Sequence, residues 1–397
     1  MSEENIFDIA IIGSGMSGSY LAYQLSRKNK KWKILILESK KASSPKVCGE
    51  YLCPAGHFLL KETVPEIDLS SFLPLRGMKV FFHAKKILEG SFFHYQSLGG
   101  LSVKRGVIEN QLVSLACKAN EKNLLMENTK LTDFVKEENS YLLITENGNF
   151  KSRRLVAADG RVSFVGSKMN HKKIENKKKK IALHAHLKFK KEMFVNEDRF
   201  GEIHLLEEGI YIGLNPVSNK KVNFSVTIPV KKYLAYENNE KKLVMDFIEK
   251  TSLENRFDFT NFNFHFSKTY PISSINKKAV LGDVAFVGDA GGGIIDPLTG
   301  EGMFNALTMS FFLAKEISAE VIKDDVLWKK SIDSYNKKQL RFFFWKKKFD
   351  LFLQFGIKTS ILPFIILKLI SLTEKGSDFF ISYIGNIKKI KYLKKII

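Results

Sequence analysis

The segment DIAIIGSGMSG, residues 8–18, decides the fold of the N-terminal part of this 397-residue chain. Its apolar run leads into three glycines with the spacing Gly-x-Gly-x-x-Gly, and a helical pattern of apolar residues follows. A second apolar run, ILILE at residues 34–38, ends in Glu38, twenty residues after Gly18. Strand, glycine-rich turn, helix, strand and terminal acid together are the complete pattern of a dinucleotide-binding Rossmann unit.

Each residue of this pattern has a chemical reason. Gly13 permits the tight turn, Gly15 lets the backbone approach a pyrophosphate, and Gly18 lets the helix pack close to the strand. The helix N terminus offers free N–H groups and a positive dipole end to phosphates, and Glu38 would accept hydrogen bonds from the adenosine ribose. The pattern does not distinguish NAD from FAD. The predicted contacts of this unit are Gly13, Gly15, Met16, Ser17, Gly18, Glu38 and Ser39.

A second glycine-rich segment, VGDAGGGIIDPLTGEGM at residues 287–303, follows another apolar run. A strand that ends in Gly-Asp can place a carboxylate against a ribityl hydroxyl, and the next glycines let the backbone lie beside an isoalloxazine ring. A helix that begins near Gly302 would direct N–H groups at the edge of the ring where negative charge develops on reduction. The predicted contacts here are Gly288, Asp289, Pro297, Gly300, Glu301, Gly302 and Met303.

This second segment resembles the ribityl-binding segment of the geranylgeranyl reductase family, within the superfamily of FAD-dependent enzymes that includes para-hydroxybenzoate hydroxylase-type enzymes. AADGRVS, residues 157–163, resembles the motif that closes the FAD domain, here with Asp159 and Gly160. LSVKR, residues 101–105, resembles the segment whose arginine, here Arg105, contacts FAD. The resemblance spans about residues 5–335 and implies that FAD is the cofactor. Since only one dinucleotide fingerprint is present, NAD(P)H is expected as a transient electron donor, with a protein donor as the alternative.

The combined patterns predict an α/β fold with an α+β second domain. A Rossmann-type FAD-binding domain with a parallel sheet is expected to be discontinuous, and an antiparallel-sheet substrate domain and a helical, basic C-terminal region complete the chain. Within the substrate domain, strands are predicted at residues 79–83 and 91–95. The predicted boundaries are 1–75, 100–165 and 275–330 for the FAD-binding domain, 76–99 and 170–274 for the substrate domain, and 331–397 for the C-terminal region.

The segment KVCGEYLCP, residues 46–54, resembles the Cys-Gly stretch that lies beside the flavin in geranylgeranyl reductases. By that correspondence Cys48 and Gly49 contact the cofactor, and Cys48 is a candidate catalytic residue that delivers a proton or packs against the substrate. The alternative is a small buried cysteine in a tight turn. Glu50 departs from the glycine-rich form of the reductase motif, which weakens any transfer of substrate identity.

Three further residues are candidates for substrate binding. Tyr211 lies in GIYIGLNP, residues 209–216, where the reductases carry an aromatic segment that lines the lipid channel, but this chain lacks its tryptophan. His184 and His186 alternate along a predicted strand and so share one face, where they would line the cavity as acid/base groups or stand half exposed. The Trp-x-Trp-x-Ile-Pro signature of flavin-dependent halogenases does not occur, which disfavours halogenation.

Two enzymatic functions and one non-redox class remain open. The leading prediction is reduction of a C=C bond of an apolar or lipid-like substrate by hydride transfer from reduced flavin. The alternative is a single-component monooxygenase that hydroxylates a small aromatic or polyketide-like substrate through a peroxyflavin. A third class would bind FAD without net redox turnover, as lycopene cyclases of the same superfamily do, or pass electrons to a partner.

Composition limits the partners and the compartment. Lys and Arg number 63 against 42 Asp and Glu, a net charge of +21, which suggests nucleic acid or an anionic membrane. Lysines are spread along the whole chain without a nucleic-acid motif, so no nucleic-acid partner is expected. Three cysteines give neither a disulfide framework nor zinc-site spacing, so we expect no metal and a reducing cytoplasm. No secretory signal is expected, because the acidic N terminus runs directly into a strand.

The C-terminal segment IKKIKYLKKII, residues 387–397, interleaves isoleucines with lysines. Such a segment can form an amphipathic helix that lies in an anionic interface. That would place the protein peripherally on the inner face of the membrane. The alternative is a helical cap that packs its apolar side on the FAD domain.

Overall fold

The computed structural model describes residues 6–42, 44, 46–92, 98–171, 180–190, 199–237, 239–251, 253–258, 267–272, 278–292, 297–358 and 361–397. An eight-stranded sheet carries the glycine-rich turn, and its central order is β18-β19-β11-β1-β2-β8. Five strands run parallel: β1 (Ile6–Ile12), β2 (Ile34–Leu37), β8 (Leu124–Met126), β11 (Gly148–Ala157) and β19 (Val284–Phe286). Three pair antiparallel at its margins: β9 (Leu131–Lys136), β10 (Tyr141–Thr145) and β18 (Val280–Leu281).

The parallel strands are apolar throughout because both faces of this sheet are covered. Ile9 and Ile11 of β1 face a core that includes residues of three helices, while Ala10 and Ile12 face a second core on the opposite side. The helices of the first core are α1 (Met16–Lys28), α3 (Arg105–Ala119) and α7 (Gly302–Glu316). The remaining short helices of this region are α2 (Pro54–Thr63), α4 (Phe164–Lys168) and α8 (Ala319–Lys323).

A second eight-stranded sheet has the order β16-β12-β15-β14-β13-β5-β6, with β17 also paired to β12. Its strands are β5 (Gly77–Phe82), β6 (Lys85–Ser91), β12 (Lys180–Phe189), β13 (Phe200–Leu205), β14 (Tyr211–Ser218), β15 (Lys221–Pro229), β16 (Phe257–Asp258) and β17 (Ser267–Ile272). All pairs are antiparallel except β5 with β13, which is parallel. A small third sheet joins β3 (Tyr51–Leu52), β7 (Gly100–Ser102) and β4 (Leu73–Leu75).

The two faces of the second sheet differ in chemistry. Leu183, Phe224 and Val226 belong to an apolar core that also contains buried residues of α6 (Glu240–Lys250) and Tyr233 of α5 (Val230–Leu234). The cross-strand neighbours His184 and Ser225, and His186 and Asn223, stand on the opposite, polar face. This polar face meets the loop that contains Cys48, because Asn223 Nδ2 donates to the Cys48 carbonyl oxygen at 3.0 Å.

One predicted strand is misplaced. The strand predicted at 91–95 begins earlier, at Lys85, because a two-residue turn at His83 and Ala84 joins it directly to β5. His83 adopts a φ of 52°, as such a tight turn requires. Residues 93–97 lie outside the described part of the chain.

The C-terminal region consists of four helices: α9 (Asp325–Lys358), α10 (Ile361–Ile370), α11 (Glu374–Ile384) and α12 (Ile387–Ile396). Helix α9 is tied to the first sheet because Trp328 Nε1 and the Tyr335 hydroxyl each donate to a backbone carbonyl oxygen at 2.7 Å. The predicted α/β fold, with a parallel Rossmann-type sheet, a mainly antiparallel sheet and a helical C-terminal region, is confirmed. Among the described residues, no helix is both long and apolar enough to cross a membrane.

Candidate active site

The three glycines of the fingerprint are required for different reasons. Gly13 has a φ of 102°, and a methyl group on it would lie 2.6 Å from the Ala158 carbonyl oxygen. A methyl group on Gly18 would lie 1.9 Å from the Gly13 carbonyl oxygen, so helix α1 could not pack there. At Gly15 the nearest atoms are side-chain atoms 3.6–3.7 Å away. The protein's own packing therefore does not demand a glycine at position 15, whereas close approach of a ligand would.

Charged side chains surround the space beside Gly15 at the N terminus of α1, which we call the opening. Glu109 Oε1 accepts hydrogen bonds from Met16 N, at the start of α1, at 2.8 Å and from Arg105 Nε at 2.6 Å, while Oε2 accepts one from Lys46 Nζ at 2.9 Å. Burial opposes both charges, but the ion pair outweighs it, so the pKa of Glu109 is lowered and that of Arg105 is raised. Two cations and a helix N terminus against one carboxylate leave positive charge at the opening, which fits a pyrophosphate.

Glu38 is fixed at the end of β2, where the fingerprint places it. Its Oε2 accepts hydrogen bonds from Ser14 N and Ser14 Oγ, both at 3.0 Å. Its Oε1 accepts one from Lys40 N at 3.1 Å, with Ser39 Oγ at 3.4 Å. The carboxylate is therefore oriented beside the glycine turn, in the position predicted for ribose binding.

The Asp-Gly motif and the second glycine-rich segment meet beside this turn. Asp159 Oδ2 accepts a hydrogen bond from Val165 N at 3.0 Å and so holds the start of α4. Arg161 Nε lies 3.6 Å from Asp289 Oδ2 and links the two motifs. Gly288 adopts a φ of 61°, a conformation that favours glycine. Residues 293–296 lie outside the described part, as does the side chain of Pro297.

Twelve of the predicted residues line one cavity of about 180 Å³ between the first sheet's motifs and the polar face of the second sheet. Its walls include many of the predicted cofactor contacts and one predicted substrate contact: Gly15, Met16, Ser17, Cys48, Gly49, Arg105, Gly160, Asp289, Gly300, Gly302, Met303 and Tyr211. We call it the glycine-rich cavity. Of the predicted contacts, Gly13, Gly18, Glu38, Ser39, Asp159, Gly288, Glu301, His184 and His186 are not part of its wall.

Cys48 stands in the wall of the glycine-rich cavity and is held there by its neighbours. Its Sγ accepts a hydrogen bond from Glu50 N at 3.3 Å, and the next carbonyl oxygen, of Gly49, accepts one from Asn215 Nδ2 at 2.6 Å. Burial raises the pKa of the Cys48 thiol, and Arg105 offsets only part of that rise. The thiol is therefore protonated at neutral pH, which suits a proton donor and not a thiolate nucleophile.

The two histidines share one face of β12, as predicted, but they lie behind the Cys48 loop. His186 Nε2 is 2.7 Å from Glu50 Oε2, and Glu50 adopts a φ of 53°, which a side chain disfavours. The rings of His184 and His186 are 5.9 Å apart. Burial lowers the pKa of His184, which Glu50 only partly offsets. His186 is thus joined to the Cys48 loop through Glu50, and neither histidine is part of the wall of the glycine-rich cavity.

Glu301 also differs from expectation, because its carboxylate turns away from the glycine-rich cavity. Its Oε1 lies 2.5 Å from Lys346 Nζ of α9, and Lys346 Nζ lies 3.3 Å from Asp350 Oδ1. All three side chains are buried. Glu301 therefore ties the second glycine-rich segment to the C-terminal helices, while its neighbours Gly300 and Gly302 line the cavity.

Sequence reasoning missed several residues of this site. Glu109 binds both Arg105 and Lys46. Tyr51 lines the glycine-rich cavity with a buried hydroxyl that has no hydrogen-bond partner among the described residues. The spacing of Arg105 and Glu109, four residues apart on α3, was a signal for a pair on one helix face. Tyr51 carried no signal beyond its place next to the Cys-Gly stretch.

A second, larger cavity adjoins the first and was not predicted. It has a volume of about 570 Å³ and lies between β5, β13 and the C-terminal helices α9, α10 and α11. Its walls are almost entirely apolar and include Val80, Leu205, Phe349, Phe380, Tyr383 and Ile384. Ile203, Leu298 and Thr299 belong to the walls of both cavities. We call it the apolar cavity.

Comparison with known proteins supports the fold. A family profile of NAD(P)-binding Rossmann-like domains matches residues 11–44. Conditioned medium factor receptor 1 of Dictyostelium discoideum is 38% identical over 60 residues, which are 15% of this chain, and the match spans only 11% of that relative's length.

Two solved structures are similar over nearly the whole chain. A geranylgeranyl bacteriochlorophyll reductase-like protein of Thermoplasma acidophilum has a TM-score of 0.75 at 19% identity and covers 99% of this chain and 100% of its own. PqsL of Pseudomonas aeruginosa, described as a probable FAD-dependent monooxygenase, has a TM-score of 0.68 at 14% identity and covers 91% and 99%. The chain therefore has the fold that these two proteins share, with an NAD(P)-binding Rossmann-like unit at residues 11–44.

Proposed function

We propose that this chain is an FAD-dependent oxidoreductase that reduces a C=C bond of an apolar, lipid-like molecule. The observation that carries the proposal is the apolar cavity of about 570 Å³, which shares three wall residues with the glycine-rich cavity. A long hydrocarbon chain in the apolar cavity would gain free energy by leaving water and could extend one end to the site of chemistry. NAD(P)H is the proposed source of electrons.

The residues of this chain would divide the work. Arg105, Lys46 and the N terminus of α1 would bind the pyrophosphate of FAD, and Glu38 its adenosine ribose. Bound FAD, once reduced, supplies a hydride. Cys48 holds a proton on Sγ in the wall of the glycine-rich cavity. Hydride and proton together would saturate one C=C bond. The apolar walls exclude water from the substrate.

The monooxygenase remains the second candidate, because the glycine-rich cavity also has a polar wall. Asn215, Ser225 and Thr227 of the second sheet line it beside Tyr211. Such side chains can hydrogen-bond to a small polar aromatic ring, which a hydrocarbon substrate does not need. The likeness to the P. aeruginosa protein is compatible with this reading.

One anaerobic experiment distinguishes the two. The purified protein with FAD is reduced by NADPH or NADH without oxygen and mixed with a polyprenyl lipid such as geranylgeranyl diphosphate. We expect the flavin colour to return without oxygen and the lipid to gain two hydrogen atoms, and we expect Cys48→Ser to slow this step without loss of flavin. Return of colour only with oxygen, and a product with one added oxygen atom, would establish the monooxygenase. A protein that takes up no FAD would contradict both.

A further inference from the structure

Helix α9 exposes a line of large apolar side chains. Leu340, Phe344, Trp345, Leu351 and Phe352 are 47%, 47%, 70%, 50% and 50% exposed. At about 100° per residue these positions fall within about 140° of the helix circumference, so they form one face. Contiguous exposed apolar surface of this kind marks an interaction site.

The same surface continues on α10 and α11 and reaches the apolar cavity. Leu369 and Phe379 are 62% and 47% exposed, and together with Phe352 they also line the apolar cavity. These three side chains therefore form the mouth of the cavity. Leu372, between the two helices, is 72% exposed. We call Leu340, Phe344, Trp345, Leu351, Phe352, Leu369, Leu372 and Phe379 the C-terminal apolar surface.

Positive charge concentrates around this surface. Residues 337–397 contain 14 Lys and Arg against three Asp and Glu, so about half of the net charge of +21 lies in this region. Lys346 and Lys338 are paired with carboxylates, Lys346 with Glu301 and Asp350 and Lys338 with Glu316, and so add no free charge. Among the acids, Asp378 accepts a hydrogen bond from Ser91 N. Lys348 Nζ lies 4.5 Å from the ring of Phe344, and Lys388 Nζ lies 4.5 Å from the ring of Phe379. Lysines thus flank the apolar side chains directly.

We propose that the C-terminal apolar surface docks on an anionic membrane. Aromatic and aliphatic side chains would enter the headgroup region, and the flanking lysines would meet anionic headgroups. A second copy of this chain is a poorer occupant, because two surfaces of such high positive charge would repel each other.

The sequence suggested that the last helix, α12, lies on the membrane. In this proposal α9 to α11 dock instead. Ile387, Ile390 and Leu393 of α12 are buried, and Lys389 of the same helix donates a hydrogen bond to the Phe342 carbonyl oxygen of α9. Helix α12 also packs on α2. It contributes lysines to the membrane, and α9 to α11 contribute the apolar side chains.

This arrangement places the mouth of the apolar cavity against the bilayer. A lipid substrate could then pass from the membrane into the cavity without crossing water. That consequence rests on the proposed function, whereas the docking itself rests only on the surface residues.

The tryptophans give a direct assay of docking. Trp32 and Trp328 are buried at 5% and 0% exposure, so Trp345, at 70%, reports contact with a membrane. We expect the emission of the full-length protein to shift to the blue on addition of vesicles of phosphatidylglycerol with phosphatidylcholine. Vesicles of phosphatidylcholine alone should bind about tenfold more weakly, and high salt should release the protein.

Variants assign the binding to the surface. Sedimentation with the anionic vesicles should fall about tenfold or more for the double variant Trp345→Glu with Leu372→Glu. The matched control is Leu234→Glu on α5, a residue of 58% exposure on a helix that packs on β12 and β15. It should bind as the wild type does.

Three results would overturn the proposal: no binding of the full chain to anionic vesicles, equal binding of the double variant, or self-association without vesicles that the double variant abolishes. Vesicle binding needs no flavin turnover, so a failure of the proposed reaction would leave this result unaffected.

Discussion

Glu109 and Glu301 are both buried carboxylates with a lysine partner, but their surroundings differ. Glu109 meets Arg105, Lys46 and a backbone N–H beside the opening at Gly15, and its pKa is lowered although burial opposes this. Glu301 shares Lys346 with Asp350, and burial raises the pKa of Glu301, which Lys346 and hydrogen bonds with Asn386 and Thr299 only partly offset.

This difference in charge balance distinguishes a place that can accept an anionic ligand from a contact that stabilises the fold. Around Glu109 the positive charges exceed the negative ones and face open space, so a further anion can be accommodated. Around Glu301 two buried carboxylates are balanced by Lys346 and by the nearby Lys389, so no excess of positive charge is left for a ligand. Two different motifs predicted cofactor contact in these neighbourhoods; the charge balance favours an anionic ligand beside Glu109, whereas next to Glu301 it is Gly300 and Gly302 that line the glycine-rich cavity.

The largest effect on stability is expected for Lys346→Met. The substitution removes the only lysine that contacts both buried carboxylates, Glu301 and Asp350, in the described part of the chain, which should lower the free energy of unfolding by about 3–5 kcal/mol. Thermal unfolding followed by circular dichroism would measure it. Lys348→Met is the matched control, since Lys348 is exposed on the same helix and should cost less than about 0.5 kcal/mol.

A double variant sharpens this result. Glu301→Gln combined with Lys346→Met removes one charge of each sign, so it should destabilise the protein less than Lys346→Met alone. Equal or additive losses would mean that Lys346 acts through its cation–π contacts with Phe349 and Tyr383, whose ring centres lie within 5.3 Å of Nζ, and not through the carboxylates.

A third carboxylate, Glu202 of β13, extends the comparison to the second sheet. Arg256 donates two hydrogen bonds of 2.8 Å to it, and His204 Nε2 lies 3.0 Å from its Oε2. Burial opposes the charge, but His204 and Arg256 outweigh it and lower the pKa of Glu202 to about 2 from an ordinary value of 4.5. An ionised Glu202 therefore stabilises the folded state by about 3 kcal/mol at neutral pH.

The pH dependence has a definite sign. Because the pKa is lower in the folded state, the stabilisation is complete above about pH 4.5 and is lost as the pH falls towards about 2. The difference in melting temperature between the wild type and Glu202→Gln should thus be largest near neutral pH and shrink on acidification. A constant difference from pH 7 to 3 would show that the charge of Glu202 does not carry the effect.

The parts of the site that the sequence predicted are local in the chain. The strand, turn and helix around Gly13, Gly15 and Gly18 lie within one supersecondary unit, and their backbone geometry follows from residue type alone. The alternation of His184 and His186 on one strand face follows from strand geometry in the same way. In these cases the period of the element determines where each residue stands.

The parts that were missed depend on contacts between distant segments. Lys46 meets Glu109 across 63 positions of sequence, and Glu301 meets Lys346 across 45. No periodicity links such pairs, so the direction of the Glu301 carboxylate could not be predicted. The apolar cavity is non-local for the same reason, since β5 and β13 supply one wall and α9 to α11 the other.

The last prediction compares the removal of a cation beside Glu109 with the removal of a cation beside Glu301. Arg105→Met removes one of two cations at the opening beside Gly15, so the affinity for FAD should fall about tenfold, equivalent to about 1.4 kcal/mol. Glu109 keeps Lys46 and Met16 N, so stability should fall less than in Lys346→Met.

Titration of apoprotein with FAD, followed by flavin fluorescence, measures the affinity, and Arg105→Lys is the charge-preserving control. Folded Lys346→Met should bind FAD as the wild type does, whereas weaker binding by that variant would mean that Glu301 belongs to the cofactor site after all.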